Sequence, residues 1–162
     1  MEIAQSFIAF IESNQERFFR ITFTYVKNTE DALDIVHNAI VKALQKQHTL
    51  RKQEYLQTWF YRILINECIT FLRKTKKTIS IDDLTDFEVP ADDSDQNEYI
   101  DLYRAIEKLP VHLKTIVILR YFEDMKLDEI AEITSTNLST TKSRLYKALE
   151  ILKIDMEVIE ND

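Results

Sequence analysis

The chain predicts an all-α protein built as two small helical domains, and three observations carry that prediction. Its 162 residues contain no glycine and two prolines. The favoured hairpin turns want glycine, so sheets joined by tight turns are disfavoured. Apolar residues recur at three- and four-residue spacing along most of the chain, which is the signature of helices with one buried face. That spacing lapses in one acidic stretch near the middle, so the helices fall into two groups, each large enough for a small core of marginal stability.

The elements follow in order. Helices are expected over residues 3–13 and 15–27, with Phe7, Phe10, Ile11, Phe18, Ile21 and Tyr25 as core positions. "NTED" then reads as a helix start. Asn28 or Thr29 is suited to cap it, and Glu30 and Asp31 suit the positive end of the helix dipole. This helix runs to about Lys46, with Leu33, Val36, Ile40, Ala43 and Leu44 as its apolar stripe and Asp34, Asn38 and Lys42 opposite. The polar "QKQHTLRKQEY" interrupts. The next helix spans about Leu56 to Lys74, with Phe60, Leu64, Cys68 and Phe71/Leu72 facing the core. Thr58, Arg62, Asn66, Thr70 and Arg73 recur on its other face, a pattern that by itself describes a solvated surface. Trp59 and Phe60, as aromatics at helical spacing, are read as core.

Residues 75–97 lack helical periodicity. Pro90 and the density of like charge mark 77–97 as an extended linker between domains 1–76 and 98–162. "EYIDLYRAIEKL" is an amphipathic helix that stops before Pro110. "HLKTIVILRYFED", "KLDEIAEI" and "LSTTKSRLYKALEILKIDMEVI" follow as three further helices.

Composition excludes several classes. No apolar run approaches the ~20 residues needed to cross a bilayer, so no direct membrane insertion is expected. The N-terminus has no basic n-region of a signal peptide. The single Cys68 cannot form an intrachain disulfide and fits a reducing cytoplasm. His37, His48, His112 and Cys68 make no metal-ligand or nucleophile–base spacing, and a glycine-free chain cannot build a glycine-rich phosphate loop. Neither catalysis nor a cofactor is expected.

Charge points elsewhere. The net charge is −7, unusual for a protein that binds DNA unaided, because phosphate neutralisation supplies most of such affinity. The charge is unevenly spread, however. Residues 82–98 hold eight acids and no Lys or Arg, residues 51–78 hold seven bases against two acids, and residues 138–153 hold four against one. Two basic surfaces are therefore separated by an acidic tether.

"LDEIAEITSTNLSTTKSRLYKAL" (127–149) has the outline of a helix-turn-helix. Leu138, Thr141, Leu145, Leu149 and Leu152 form a buried stripe on its second helix. Ser139, Lys142, Ser143, Tyr146 and Lys147 fall opposite, and Asn137 is placed to cap. Small Ala131 on the first helix lets the two cross closely. Short polar residues and bases near a helix N-terminus suit the major groove. The alternative is a plain helical hairpin with a basic solvated face. Ser135 occupies the turn position that usually takes glycine.

Taken together, "NTEDALDIVHNAIVKALQK", "LQTWFYRILINECITFLRKTKK", the acidic linker and "AIEKLPVHLKTIVILRYFEDMKLDEIAEITSTNLSTTKSRLYKALEILK" resemble the extracytoplasmic-function sigma factors, the small two-domain initiation subunits of bacterial RNA polymerase. The resemblance covers residues 15–153. It implies that the 30–46 helix docks on the clamp coiled coil of the polymerase's largest subunit through Asp34, His37 and Asn38, where many members carry Gln-Glu at the last two positions. It implies that the loop "QHTLRKQEYLQ" captures a flipped base of the −10 element, and that Thr58, Arg62, Asn66, Thr70 and Arg73 contact the exposed strand. Such a role needs a basic groove to offset the cost of flipping.

It further implies that Ser139, Thr140, Lys142, Ser143, Arg144 and Lys147 meet the −35 element, and that helices 98–122 contact the flap of the second-largest subunit. Members usually have glycine at the positions of Ser135 and Ser139 and valine at Thr141. The linker would thread the polymerase near the RNA exit path; the plainer alternative is an inert tether. An anti-sigma factor that holds both domains inactive is also implied. Two other classes remain on the residues alone, a stand-alone helix-turn-helix regulator and a helical adaptor.

Overall fold

The computed structural model describes the backbone of residues 2–78 and 98–161, and the side chains of residues 5–75 and 101–154. Among the described residues all regular structure is helical. The chain divides into two compact units, Met1–Asp86 and Phe87–Asp162. The linker expected at 77–97 lies outside the described residues apart from positions 77 and 78, which close a helix.

In the first unit, α1 (Glu2–Val26), α2 (Thr29–Gln45) and α3 (Leu56–Thr78) pack on one another. The break expected near residue 14 is absent, and α1 runs straight through "SNQ". The Asn14 side chain donates to the Phe10 carbonyl one turn back (2.8 Å) rather than capping a new helix. The helix ends at Lys27, which takes a left-handed conformation (φ 54°) and donates its N–H to the Phe23 carbonyl (2.8 Å). Asn28 then caps α2 by accepting the Asp31 N–H at 2.9 Å, so two residues suffice to reverse the chain.

Aromatic rings fill the centre of this unit. Phe18 lies 4.6 Å from Phe60 and 5.8 Å from Tyr61 between ring centroids, and Phe7 and Phe10 meet Phe60 edge-on at 6.3 and 5.7 Å. Each such pair contributes about 0.5–1.5 kcal/mol beyond burial. The buried face of α2 is Ala32, Ile35, Val36, Ala39 and Ala43. This corrects the expected stripe: Leu33 and Leu44 are 54% and 47% exposed. The alanines admit the neighbouring helices closely, and that turns the larger leucines outward.

In the second unit, α4 (Glu98–Lys108) ends before Pro110, whose carbonyl accepts the first N–H groups of α5 (Val111–Val117). The winding then widens to a π-helical turn over Ile118–Phe122, with Glu123 N–H reaching the Ile118 carbonyl at 3.2 Å. Asp124 takes the left-handed region (φ 53°), and Arg120 braces the exit by donating to the Met125 carbonyl (3.0 Å). Next come α6 (Leu127–Thr134) and α7 (Leu138–Asn161). Ile106, Leu113, Ile116, Leu119, Ile130, Leu145 and Ala148 are among the residues of the buried core. Leu138, expected in the buried stripe of α7, is exposed, and Ala148 takes a core place instead.

Candidate nucleic-acid interface

The α6–turn–α7 segment is a helix-turn-helix by geometry. Ser135 adopts the left-handed conformation (φ 56°, ψ 41°) at the end of α6, the conformation that the usual glycine provides at no steric cost. Thr136 N–H reaches the Ala131 carbonyl at 3.0 Å and Ser135 N–H reaches that of Glu132 at 3.3 Å, the paired bonds of a Schellman ending. Asn137 caps α7, accepting the Thr140 N–H at 2.7 Å. Ala131 is buried where the helices meet.

On α7, Ser139, Lys142, Ser143 and Lys147 are exposed on one side, while Thr140 and Arg144 are half-buried. The helix therefore presents two full cations and two hydroxyls, with Arg144 flanking them. Tyr146 is the most exposed large apolar side chain of the described residues and shares their side. Burial first, and then the charges of Arg144 and Lys147, hold the His112 imidazole below its ordinary pKa. The charges of Arg144 and Lys147 thus reach the start of α5, which packs on α7. No local pattern brings His112 to residues so far along the chain; only the packing of α5 on α7 does.

The first unit carries two further faces. On α3, Arg62, Asn66 and Arg73 are exposed and Thr58 and Thr70 half-buried, so the predicted stripe stands on one side of the helix, away from Phe60, Leu64 and Cys68. Trp59 is half-buried. Its indole N–H donates to the Thr49 hydroxyl (3.0 Å), and its ring meets Phe7 edge-on at 6.2 Å. The loop between α2 and α3 is thereby held: Leu50 and Leu56 are buried, Thr49 donates to the Lys46 carbonyl (2.7 Å), and Gln53 donates to the Ser6 hydroxyl (2.7 Å). Lys46, His48, Arg51, Lys52 and Tyr55 face solvent along it.

On α2, Asp34, His37 and Asn38 are all exposed and share one side by their spacing. Leu33, Val41 and Leu44 are exposed around them. Lys42 is exposed, as expected, and also pairs with Glu67 of α3. Among the described residues no group of three or more His, Cys, Asp or Glu is arranged to hold a metal ion, and no helix is long and apolar enough to cross a membrane.

Comparison with known proteins follows the same division. The model for Sigma-70 region 2 matches residues 10–78, and that for Sigma-70, region 4 matches residues 99–152. RNA polymerase sigma factor SigV of Bacillus subtilis is 47% identical over 90% of this chain and 88% of its own length. The ECF RNA polymerase sigma-E factor of Haemophilus influenzae is 26% identical over 92% of this chain and 86% of its own. Among solved structures, the sigma factor RpoE in complex with the anti-sigma factor NepR from Bartonella quintana has the same fold, with a TM-score of 0.78 at 21% identity, covering 94% of this chain and 97% of that one. With a close relative along nine-tenths of its length and both sigma regions in order, the chain belongs to the extracytoplasmic-function RNA polymerase sigma factors, which initiate transcription and are not enzymes.

Proposed function

We propose that the two units divide promoter opening and promoter reading between them. Residues 1–76 bind core polymerase and open the −10 element, residues 98–162 read the −35 element, and 77–97 tether the two. The observation that carries this reading is the outer side of α7: Ser139, Lys142, Ser143 and Lys147 stand exposed at the N-terminal half of a helix whose opposite side is core. Thr140 and Arg144 flank them. Cations at that position reach guanine edges or phosphates, and hydroxyls reach either.

In the first unit, Asp34, His37 and Asn38 dock on the clamp coiled coil of the largest subunit. Leaving Leu33, Val41 and Leu44 in water on a free surface is costly, and a helical partner that covers them accounts for their exposure. Thr58, Arg62, Asn66, Thr70 and Arg73 line the path of the non-template strand, with the held loop before α3 accepting an extruded base. Helices α4 and α5 meet the flap of the second-largest subunit. The protein acts in the cytoplasm with the polymerase. An anti-sigma factor holds it inactive; the Bartonella protein of the same fold is in complex with the anti-sigma factor NepR.

The net charge of −7 fits a reader that works only inside the holoenzyme, because it weakens stray binding by the free subunit. Run-off transcription with core polymerase on a genomic promoter pool tests the whole reading. The wild-type holoenzyme should select promoters sharing −35 and −10 motifs. Arg144→Ala should lower promoter-specific output about tenfold, the loss of one good base contact, with core association intact. Nanomolar, site-specific DNA binding by the free protein would overturn the reading in favour of a stand-alone regulator.

A further inference from the structure

The joint between α6 and α7 is bridged by side chains as well as by backbone. The Thr134 hydroxyl oxygen lies 2.8 Å from the Ile130 carbonyl oxygen and 3.0 Å from the Thr136 hydroxyl oxygen. The Thr136 oxygen lies 2.9 Å from that of Thr141, and Thr141 in turn reaches the Asn137 carbonyl at 2.9 Å. Thr141 is fully buried, and Thr134 and Thr136 are half-buried. The backbone bonds here each belong to one helix end: Thr136 N–H to Ala131 closes α6, and Thr141 N–H to Asn137 opens α7. The hydroxyl chain crosses between them.

Counting protons sharpens the picture. These four contacts share three hydroxyl protons, since each threonine donates once. All three are used if the chain points one way, from Thr134 through Thr136 and Thr141 to the Asn137 carbonyl, or the other way to the Ile130 carbonyl. In the second case the Asn137 carbonyl keeps its bond from the Thr141 N–H. Bonds so aligned reinforce one another. Thr136 is the hinge of both arrangements.

We propose that Thr136, with Thr134 and Thr141, positions the recognition helix and thereby sets discrimination at the −35 element. The inference rests on the reading of α7 as the −35 reader. These threonines touch no DNA. Their bonds fix the angle and register at which Ser139, Lys142 and Ser143 leave the joint. Base-edge contacts tolerate little displacement, whereas lysine contacts to phosphate tolerate much. Loosening the joint therefore costs discrimination more than it costs general binding.

The test uses the full chain assembled with core polymerase. Run-off transcription is measured on templates with one −10 element and either the cognate −35 or each single-base substitution of it. Thr136→Val, which removes the hydroxyl at nearly constant shape, should lower the ratio of cognate to substituted output at least threefold, as should Thr141→Val. Thr136→Ser, which keeps the hydroxyl, should hold the wild-type ratio within about twofold. A merely structural role would lower output on every template alike and leave the ratio unmoved.

An unchanged ratio in folded Thr136→Val, or an equal loss in Thr136→Ser, would overturn the proposal. If Thr136→Val does not fold, as judged by circular dichroism, Thr141→Val and Thr136→Ser decide the matter on the same criteria. A wild-type holoenzyme with no −35 preference would refute the reading of α7 itself, and this inference with it.

Discussion

Replacing Ser135 by glycine should leave the second unit more stable than replacing it by alanine. Ser135 ends α6 at φ 56° and ψ 41°, where an L-residue with a Cβ is disfavoured by about 1–2 kcal/mol. Glycine removes that penalty but loses about 0.5–1 kcal/mol more conformational freedom on folding. The net gain over alanine is about 0.5–1 kcal/mol. For a domain of this size that raises the midpoint by about 3–6 °C. Scanning calorimetry of the full chain, analysed as two transitions, measures it. Ser135→Ala is the reference: both variants delete the hydroxyl, but alanine keeps the left-handed penalty, so the glycine variant should exceed it by that amount. A glycine variant no more stable than the alanine variant would show that the turn does not hold Ser135 in the left-handed region.

Three further outcomes are expected. Phe60→Ala empties the ring cluster that joins Phe7, Phe10, Phe18 and Tyr61, and should cost about 3–5 kcal/mol, enough to abolish the first unit's transition while the second melts normally. Burial, Arg144 and Lys147 depress the His112 pKa in the folded state. The unfolded chain, titrating near its ordinary value of about 6.5, therefore takes up the proton first as pH falls. The associated stability is complete above that value and is lost as pH drops through it toward the folded pKa. Urea titrations across this window should give a shallower pH slope for His112→Gln than for wild type, and a steeper one would contradict the sign. Asp34→Ala should weaken association with core polymerase without altering −35 preference, and an undiminished co-purification yield would argue against the α2 docking face.

How far the fold could be read in advance depended on which residues carried the signal. Phe7, Phe18, Phe60 and Leu64 are large, periodic and buried, and they located α1 and α3 without help. Val36 and Ala43 of the expected α2 stripe are buried, but Leu33 and Leu44 are not, because the contact surface is mostly alanine, whose small size rather than hydrophobicity brings helices together, and Leu33 outweighs Ala32 in a pattern that counts apolar bulk. The break expected in α1 failed for a related reason, since Asn14 signals a cap by type yet bonds one turn back within a continuous helix.

At the candidate interface, the exposed serines and lysines of α7 were legible from spacing alone, and the left-handed turn was foreshadowed at Ser135 by the position itself. The threonine chain was not. Thr134, Thr136 and Thr141 read individually as turn polarity or helix filler, and only the fold sets their oxygens within hydrogen-bonding distance. The approach of His112 to Arg144 and Lys147 depends in the same way on two helices meeting.

The placement of Trp59 has an optical consequence. It is the only tryptophan in the chain, and its indole is tied to Thr49 in the loop proposed to take the extruded base. Emission from the protein therefore reports on that one bond and its surroundings. Any event that draws the loop away, whether strand capture or the grip of an inhibitor, should free the indole N–H to water and shift the spectrum to longer wavelength. Opening of the promoter could then be followed in real time with no label attached, in a holoenzyme whose core has its tryptophans replaced or subtracted.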